Sequence, residues 1–588
     1  MKNEKIQFIN SRTIAQTQGE NLAATQVILH ALDRKIKSKK DLLQIQKEVC
    51  EEMGSTFLTQ PMLLNTYREL IKEKQINAND SLFQILRKRR IRTLSGVAPV
   101  AILTKPFPCP GKCIYCPSEP DMPKSYISNE PAVMRAILAD FDPAKQIEIR
   151  LRGLEIAGNP TDKIELIVMG GTWSALPRDY QLKYIVACYR ACNEFNNKSE
   201  ARSTKSETNS KLELKNQKQN NNVSLDCARD NNSKVSELLQ EQTKNEKAKY
   251  RIIGLTLETR PDYINEEEIK WMRMLGCTRV ELGVQSIYDR VLNKNKRGHK
   301  VEATIKATKL LKDAGFKICY HMMPNLYGSN LKFDLQMFKE LFSNPDFQPD
   351  MIKIYNCVVT KYSQLEKLVK SGKFISYTDE ELIKLMIEIK QILPEYVRVL
   401  RLGRDIPADN IVCGSKMSNI RQIVQDRIRV KSRELKVNSY GCKCIRCREI
   451  REDTKLPVKL KRIDYDASDG KEIFLQYVDN NNRLYALLRL RIVTSDKAKF
   501  TAIIREVHTY GPMNQIGVRV RDKVVTQHQG LGKKLILEAE RITKDEFGLN
   551  KITVISGVGV RDYYRKLGYN LEDTYMVKYL RNTKLTKY

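Results

Sequence analysis

Apolar residues recur at helical spacing through residues 21–32, 41–53 and 61–74, which predicts amphipathic helices near the start of the chain. From Gly96 the pattern changes. Short apolar runs at 97–103, 164–169, 252–257, 279–283, 317–321 and 351–354 alternate with longer helical stretches such as 302–314. Such alternation predicts an α/β fold class with a parallel sheet or partial barrel. Between 193 and 249 the order lapses into Asn, Lys, Ser, Gln and Glu with few aromatics. That composition cannot bury enough surface to offset ordering entropy, so a disordered insertion is expected. Strands at 472–477, 484–492, 501–509 and 551–556, with a helix at 532–547, predict a second α/β domain. The expected organisation is a helical region 1–90, a barrel 91–392 containing the insertion, a linker 393–463 and an α/β domain 464–588.

Length and charge sharpen this picture. A chain of 588 residues exceeds one ordinary core and implies two to four domains. No apolar run approaches the roughly 20 residues of a membrane span, and residues 1–12 lack the apolar core of a signal peptide, so a cytoplasmic enzyme is expected. The formal charge of +32 suits a polyanionic partner, because each neutralised phosphate releases condensed counterions. A basic proteome with solvated lysines would read the same way. The run Arg87-Lys88-Arg89-Arg90-Ile91-Arg92 directly precedes a cysteine cluster and is the candidate phosphate contact.

Six of the 14 cysteines fall in two tight groups. Cys109, Cys113 and Cys116 have C-x3-C-x2-C spacing just after a predicted strand. Three thiolates on one loop can hold three irons of a [4Fe–4S] cube and leave the fourth iron open. A zinc knuckle would need a fourth ligand, and none occurs between Thr93 and Phe141. Met169-Gly170-Gly171-Thr172 and Glu281-Leu282-Gly283-Val284-Gln285 end strands with glycine, where backbone can approach a ligand closely. The second group, Cys442, Cys444 and Cys447, offers three thiolates to a structural zinc, which wants four ligands. Cys413 is the nearest preceding candidate for the fourth; a metal-free reduced trio is the alternative.

In the last domain, Gln527-His528-Gln529-Gly530-Leu531-Gly532-Lys533 fits Q-x-x-G-x-G and opens a helix. Glycine turns backbone N–H groups toward an anion and the helix N-terminus adds positive potential. A strand, a small-residue turn and then Tyr563-Tyr564-Arg565-Lys566-Leu567-Gly568-Tyr569 follow, as in acetyltransferase-like folds, where the glycine loop cradles the pyrophosphate of acetyl-CoA.

Together with Glu258-Thr259-Arg260-Pro261-Asp262, Met169-Gly170-Gly171-Thr172-Trp173 and His321-Met322-Met323-Pro324, these motifs resemble the Elongator complex protein 3 family. The resemblance is dense from about Leu86 to Tyr579 and looser before it. It implies a radical S-adenosylmethionine half-barrel joined to an acetyltransferase-like (GNAT) domain. It also implies conversion of the tRNA wobble uridine to 5-carboxymethyluridine. In that chemistry a deoxyadenosyl radical takes hydrogen from the methyl group of acetyl-CoA, and the carbon radical adds to C5 of uracil. The thioester is then hydrolysed. By resemblance, Cys109, Cys113 and Cys116 hold the cluster. Glu506, Val507, His508, Thr509, Leu531, Gly532, Lys533 and Tyr564 would touch acetyl-CoA, and Lys163 would reach it from the barrel, with Lys163 and Tyr564 catalytic. The implied cofactors are the [4Fe–4S] cluster, S-adenosylmethionine, acetyl-CoA and Zn2+. The implied partner is tRNA at its anticodon, and a homodimer is compatible with it. The short spacing of the first cysteine group, typical of bacterial and archaeal members, implies independence of other Elongator subunits. The insertion is not a family feature. A protein-lysine acetyltransferase with a structural iron–sulfur domain, or a tRNA-binding scaffold with both catalytic domains degenerate, are the rival readings.

Overall fold

The structure is a computed structural model that describes residues 19–86, 95–201, 226–434, 441–451, 457–493, 502–511 and 530–580. It divides into two compact units, one of residues 1–98 with 149–162 and one of 99–148 with 163–588.

The first unit is helical. Helix Lys39–Glu52 starts at a capping box in which Ser38 and Asp41 satisfy each other's backbone N–H, and helix Gln60–Lys72 starts at Thr59, whose hydroxyl accepts from Met62 N. Such caps supply partners for the free donors of a first helical turn. The apolar stripes read from the sequence meet in one core, with Val27, Ile28, Ile45, Val49, Leu63, Leu64, Tyr67 and Ile85 buried. Arg68 donates to the Glu155 carbonyl at 2.7 Å, tying in the 149–162 segment.

The second unit holds two seven-stranded sheets. The first comprises β1 (Ala98–Leu103), β2 (Lys163–Met169), β3 (Arg251–Thr259), β4 (Cys277–Gln285), β5 (Lys317–Met322), β6 (Met351–Ile354) and β8 (Arg398–Leu402), adjacent in that order. Pairing from β2 through β8 is parallel throughout. Between β6 and β8 lies β7 (Val359–Thr360), which forms a two-stranded ladder with β9 (Ile411–Cys413). The seventh strand, β8, lies beyond residue 392, so the barrel runs further than the sequence pattern suggested; its five residues are too short to carry a period.

The second sheet has the order β10-β11-β12-β13-β14-β16-β15, from β10 (Lys459–Ala467), β11 (Gly470–Val478), β12 (Leu484–Ile492), β13 (Ala502–Thr509), β14 (Lys551–Val554), β15 (Asn570–Glu572) and β16 (Tyr575–Tyr579). β13 and β14 are parallel and pair only at Ile503–Thr553 and Ile504–Val554. Beyond that point they part, and among the described residues Glu506–Thr509 pair with no strand on that side.

The insertion is a correction. Helices Arg178–Ala201 and Asp226–Asn245 cover most of it, and only 202–225 lie outside the described residues. Leu238 is fully buried. Asn245 donates to Asn193 Oδ1 at 2.7 Å and accepts from Ile252 N at 2.8 Å. The polar residues that lower the segment's hydropathy satisfy one another, which composition does not register.

Candidate active site

The two sheets meet where the barrel strands begin. Gly315, just before β5, is so close to Ile503 that a Cβ would overlap it, and a Cβ at Gly557 would overlap the Ile253 carbonyl at the start of β3. Arg398, the first residue of β8, donates to Tyr510 Oη at 2.7 Å. Arg505 donates to the Phe316 carbonyl at 2.7 Å and to Asp350 Oδ2 at 2.9 Å, immediately before β5 and β6. The register assigns Arg489 to Glu506 and Leu490 to Ile504, so Arg505 is the extra residue of a β-bulge. Bulges of this kind re-aim a side chain; here the guanidinium turns into the sheet–sheet contact.

One face of the barrel sheet is polar. Arg279 pairs with Glu165 across the strands and lies 3.5 Å from Glu281. His321 Nε2 is 2.8 Å from Glu281, and Lys353 bonds Glu281 and lies 3.6 Å from Glu258. Tyr126 donates to Glu258 at 2.9 Å. Burial opposes ionisation of Glu281, but Lys353 and His321 outweigh it and hold the carboxyl well below its usual range. The ligand atoms of Glu281, Cys319 and His321 lie within 4.8 Å of one another. Lys353 already occupies the carboxylate, so this group is an ion network rather than a cation site.

The cysteine loop follows β1, at the opposite end of the strands. Cys113 and Tyr115 are buried, and Ile114 is pinned by its N–H to the Asn295 carbonyl at 3.2 Å and by Leu365 N to its own carbonyl at 2.9 Å. Arg297 Nη1 donates to Cys113 Sγ at 3.5 Å and its Nη2 donates to the Gly283 carbonyl. A hydrogen bond from Cys116, and then the Arg297 charge, bring the Cys113 thiol down to about 4. Arg260, clamped by both oxygens of Asp262, turns Nη1 toward Gly111, where any Cβ would collide with it. That Nη1 has no partner among the described residues. One thiol held ionised on a fixed loop beside two buried guanidiniums suits an anionic iron–sulfur cluster. Gly170, at φ +134°, abuts Thr104, so β1–β2 packing also requires it.

The acetyltransferase-like residues also converge. Gly530 at φ 71° caps helix Leu531–Arg541. A Cβ at Gly532 would touch Tyr563 Oη, Thr509 and Val507 at 3.5–3.9 Å. Gln527, His528 and Gln529 lie outside the described residues. Tyr564 is buried against Tyr569 and Tyr563, and burial pushes its phenol up. It is Tyr563, 41% exposed, that faces the glycine loop; the sequence reading missed this role, and the paired tyrosines were its only signal. Glu506 accepts from Arg489 Nε at 2.8 Å. Lys163 opens β2 opposite Arg251 of β3, and a Cβ at Gly559 would collide with Arg251.

His508 holds its ring 4.4 Å from that of Tyr510, tilted by 45°, and its shielded Nε2 has no partner among the described residues. Burial, then the Arg398 charge, lower it to about 4 from 6.5. The folded value lies below the unfolded one, so the unfolded chain binds the proton first. Its cost is absent above about 6.5, grows as pH falls, and is complete below about 4, on the order of 3 kcal/mol. His508→Gln is therefore expected to flatten the fall of the thermal unfolding midpoint between those values; an unchanged acid slope would rule this out.

The sulfurs of Cys442, Cys444 and Cys447 lie within 4.8 Å of one another. Lys390 Nζ is 3.3 Å from Cys447 Sγ and Gln425 Nε2 is 3.9 Å away. Cys413 is not brought there. It sits on β9 against Val359 and packs with Cys113, Cys116 and Cys357, so its assignment as fourth ligand is corrected: chain proximity to the trio did not carry through the β7–β9 ladder.

A half-barrel with a three-cysteine loop at its strand ends, fused to an acetyltransferase-like sheet at its strand starts, defines a radical S-adenosylmethionine protein of composite type. The Radical SAM superfamily profile matches residues 108–336, and the Radical_SAM C-terminal domain profile matches 349–429. The chain is 42% identical over 577 residues to the tRNA uridine(34) acetyltransferase of Methanocaldococcus infernus, covering 93% of this chain and 98% of that one. It is 37% identical over 518 residues to human Elongator complex protein 3, covering 84% and 86%. The solved structure of the archaeal Methanocaldococcus infernus Elp3 with an N-terminal deletion matches with a TM-score of 0.66 at 41% identity, over 83% of this chain and all of that one. The chain belongs to the Elongator complex protein 3 family.

Proposed function

We propose that this chain converts the wobble uridine of tRNA to 5-carboxymethyluridine, taking the two carbons from acetyl-CoA. The observation that carries this reading is the polar barrel face itself. It runs from the cysteine loop at the strand ends toward Glu506 and His508 at the strand starts, which puts the residues proposed for both cofactors along one sheet. When bound, the cluster with S-adenosylmethionine supplies one-electron chemistry and acetyl-CoA supplies the acetyl group.

The chain's residues then have distinct tasks. Cys109, Cys113 and Cys116 would hold the cluster. Gly530, Leu531, Gly532 and Lys533 offer N–H groups and a helix N-terminus to a pyrophosphate, with Val507, Thr509 and Tyr563 alongside and Tyr564 packed against Tyr563. Lys163 reaches the acetyl end from the barrel side. Between the sites, Lys353 and His321 keep Glu281 ionised, giving the interior fixed charges that need no reorganisation when a uracil enters. Cys442, Cys444 and Cys447 would hold Zn2+, with Lys390 offsetting thiolate charge. A surface acetyltransferase fits less well, because Glu506 is tied to Arg489 and His508 is shielded.

The test is anaerobic reconstitution with iron, sulfide, S-adenosylmethionine, acetyl-CoA and tRNA, followed by mass spectrometry of digested nucleosides. Formation of 5-carboxymethyluridine supports the reading; cofactor-replete protein that leaves uridine unchanged removes it. For the RNA contact, Arg89→Ala with Arg90→Ala is expected to weaken tRNA binding and reduce the slope of log affinity against log salt by about 2. An unchanged slope would place the RNA elsewhere. Both arginines lie outside the described residues.

A further inference from the structure

We propose that Arg297 tunes the reduction potential of the iron–sulfur cluster and locks the cysteine loop to the end of β4, donating one guanidinium N–H to Cys113 Sγ and another to the Gly283 carbonyl. The inference rests on the reading of that loop as cluster-bearing.

Its starting point is a charge without a counter-charge. Arg297 is 6% exposed, and among the described residues no carboxylate lies within ion-pair distance of it. Its acceptors are Cys113 Sγ at 3.5 Å and the Gly283 carbonyl, while its buried Nε has no partner among the described residues. A buried guanidinium without an anion is costly. Arg260, on the other side of the loop, shows the usual solution: Asp262 takes it with both oxygens. For Arg297 the anion has to come from the sulfurs.

The groups around it agree. His299, two residues on, is lowered by burial and then by the Arg297 charge, so it stays neutral and does not compete for the sulfur. Gly283 is required by the same contact, because a Cβ there would stand 2.8 Å from Arg297 Nη2. The strand-end glycine of Glu281-Leu282-Gly283 thus admits an arginine.

Reduction adds one negative charge to a cluster. A fixed positive charge and an N–H···S hydrogen bond favour the reduced form and raise the potential, since hydrogen bonds to the sulfurs and local charge are among the levers that set it. Without Arg297 a low-potential donor would have more difficulty delivering the electron.

The experiment uses the full chain, reconstituted anaerobically as wild type, Arg297→Gln and Arg297→Lys. Iron and sulfide content and the midpoint potential are measured, the latter by electron paramagnetic resonance during a redox titration. Arg297→Gln is expected to load iron and to lose at least tenfold in the reduction equilibrium, about 59 mV more negative for one electron. Arg297→Lys, which keeps the charge but not the fork, is expected to fall between two- and tenfold. A potential within twofold of wild type in either iron-loaded variant overturns the proposal. So does loss of iron from both variants, because the guanidinium would then be building the site rather than tuning it. Wild-type protein that takes up no iron would instead remove the reading of the loop itself.

Discussion

Cys113→Ala is expected to abolish both cleavage of S-adenosylmethionine and uridine modification, while tRNA affinity falls less than tenfold. Three thiolates are the fewest that leave one iron of a cube open for the cofactor, and Cys113 is the most enclosed of them, 5% exposed. Its loss also strands Arg297, whose sulfur acceptor disappears, so a buried cation is left to a single carbonyl. Cys109 and Cys116 would then share a loop that no longer balances its charge. Cys413→Ala is the matched control. It removes a thiol packed on the same apolar cluster but not on the cysteine loop, and iron content and activity should stay within twofold of wild type. Full activity in Cys113→Ala would take the radical step out of the account. Iron loss in Cys413→Ala would mean that the ligand set has been drawn too narrowly. Binding of tRNA separates either result from unfolding, because a collapsed chain would lose that too.

What the sequence made legible follows from how local each signal is. Both cysteine groups and the Gly530–Gly532 loop are contiguous in the sequence, so their spacing is visible without any tertiary information. The barrel strands were legible because their apolar runs are bounded by helical stretches. Three features were not. Arg297 acts on Cys113 across 184 positions, and nothing in Asn295-Lys296-Arg297-Gly298 marks it as different from a solvated basic turn. Cys413 was assigned by distance along the chain, whereas the β7–β9 ladder carries it to the other cysteine group. The helix Asp226–Asn245 looks disordered by composition, yet Glu246 beyond its end reaches Arg561 at 3.1 Å and Arg565 at 2.6 Å, in the helix Arg561–Arg565 that follows β14 more than 300 residues on. In each case the deciding partner is remote, and periodicity carries no information about remote partners.

The same remoteness hid the ion network that joins the sheets, and it sets the second large effect. Asp350→Asn is expected to destabilise the second unit by about 3–5 kcal/mol, the range for breaking one partner of a buried pair. Asp350 and Arg505 are both fully shielded, and Arg505 also bonds Glu472 at 2.9 Å, with Arg489 3.5 Å from Asp350. Burial opposes ionisation of Asp350, but Arg505, Arg489 and Lys312 outweigh it and hold the carboxyl well below its usual range. The folded value is therefore lower than the unfolded one. Its stabilisation is complete above about pH 4 and is lost progressively as pH falls toward the folded value, so Asp350→Asn should also flatten the acid limb of the thermal unfolding curve. The amide keeps the shape but leaves two guanidiniums facing a neutral group at the seam where β5 and β6 begin. The acetyltransferase-like sheet should consequently become the first part released in limited proteolysis, with cleavage between the sheets. A midpoint within 2 °C of wild type, with an unchanged proteolytic pattern, would show that apolar packing such as Ile503 against Gly315 holds the sheets together and that the charges only choose their register. The expected answer is the opposite, because the bulge that supplies Arg505 displaces it from the β12–β13 register and turns its guanidinium onto Asp350 at that seam.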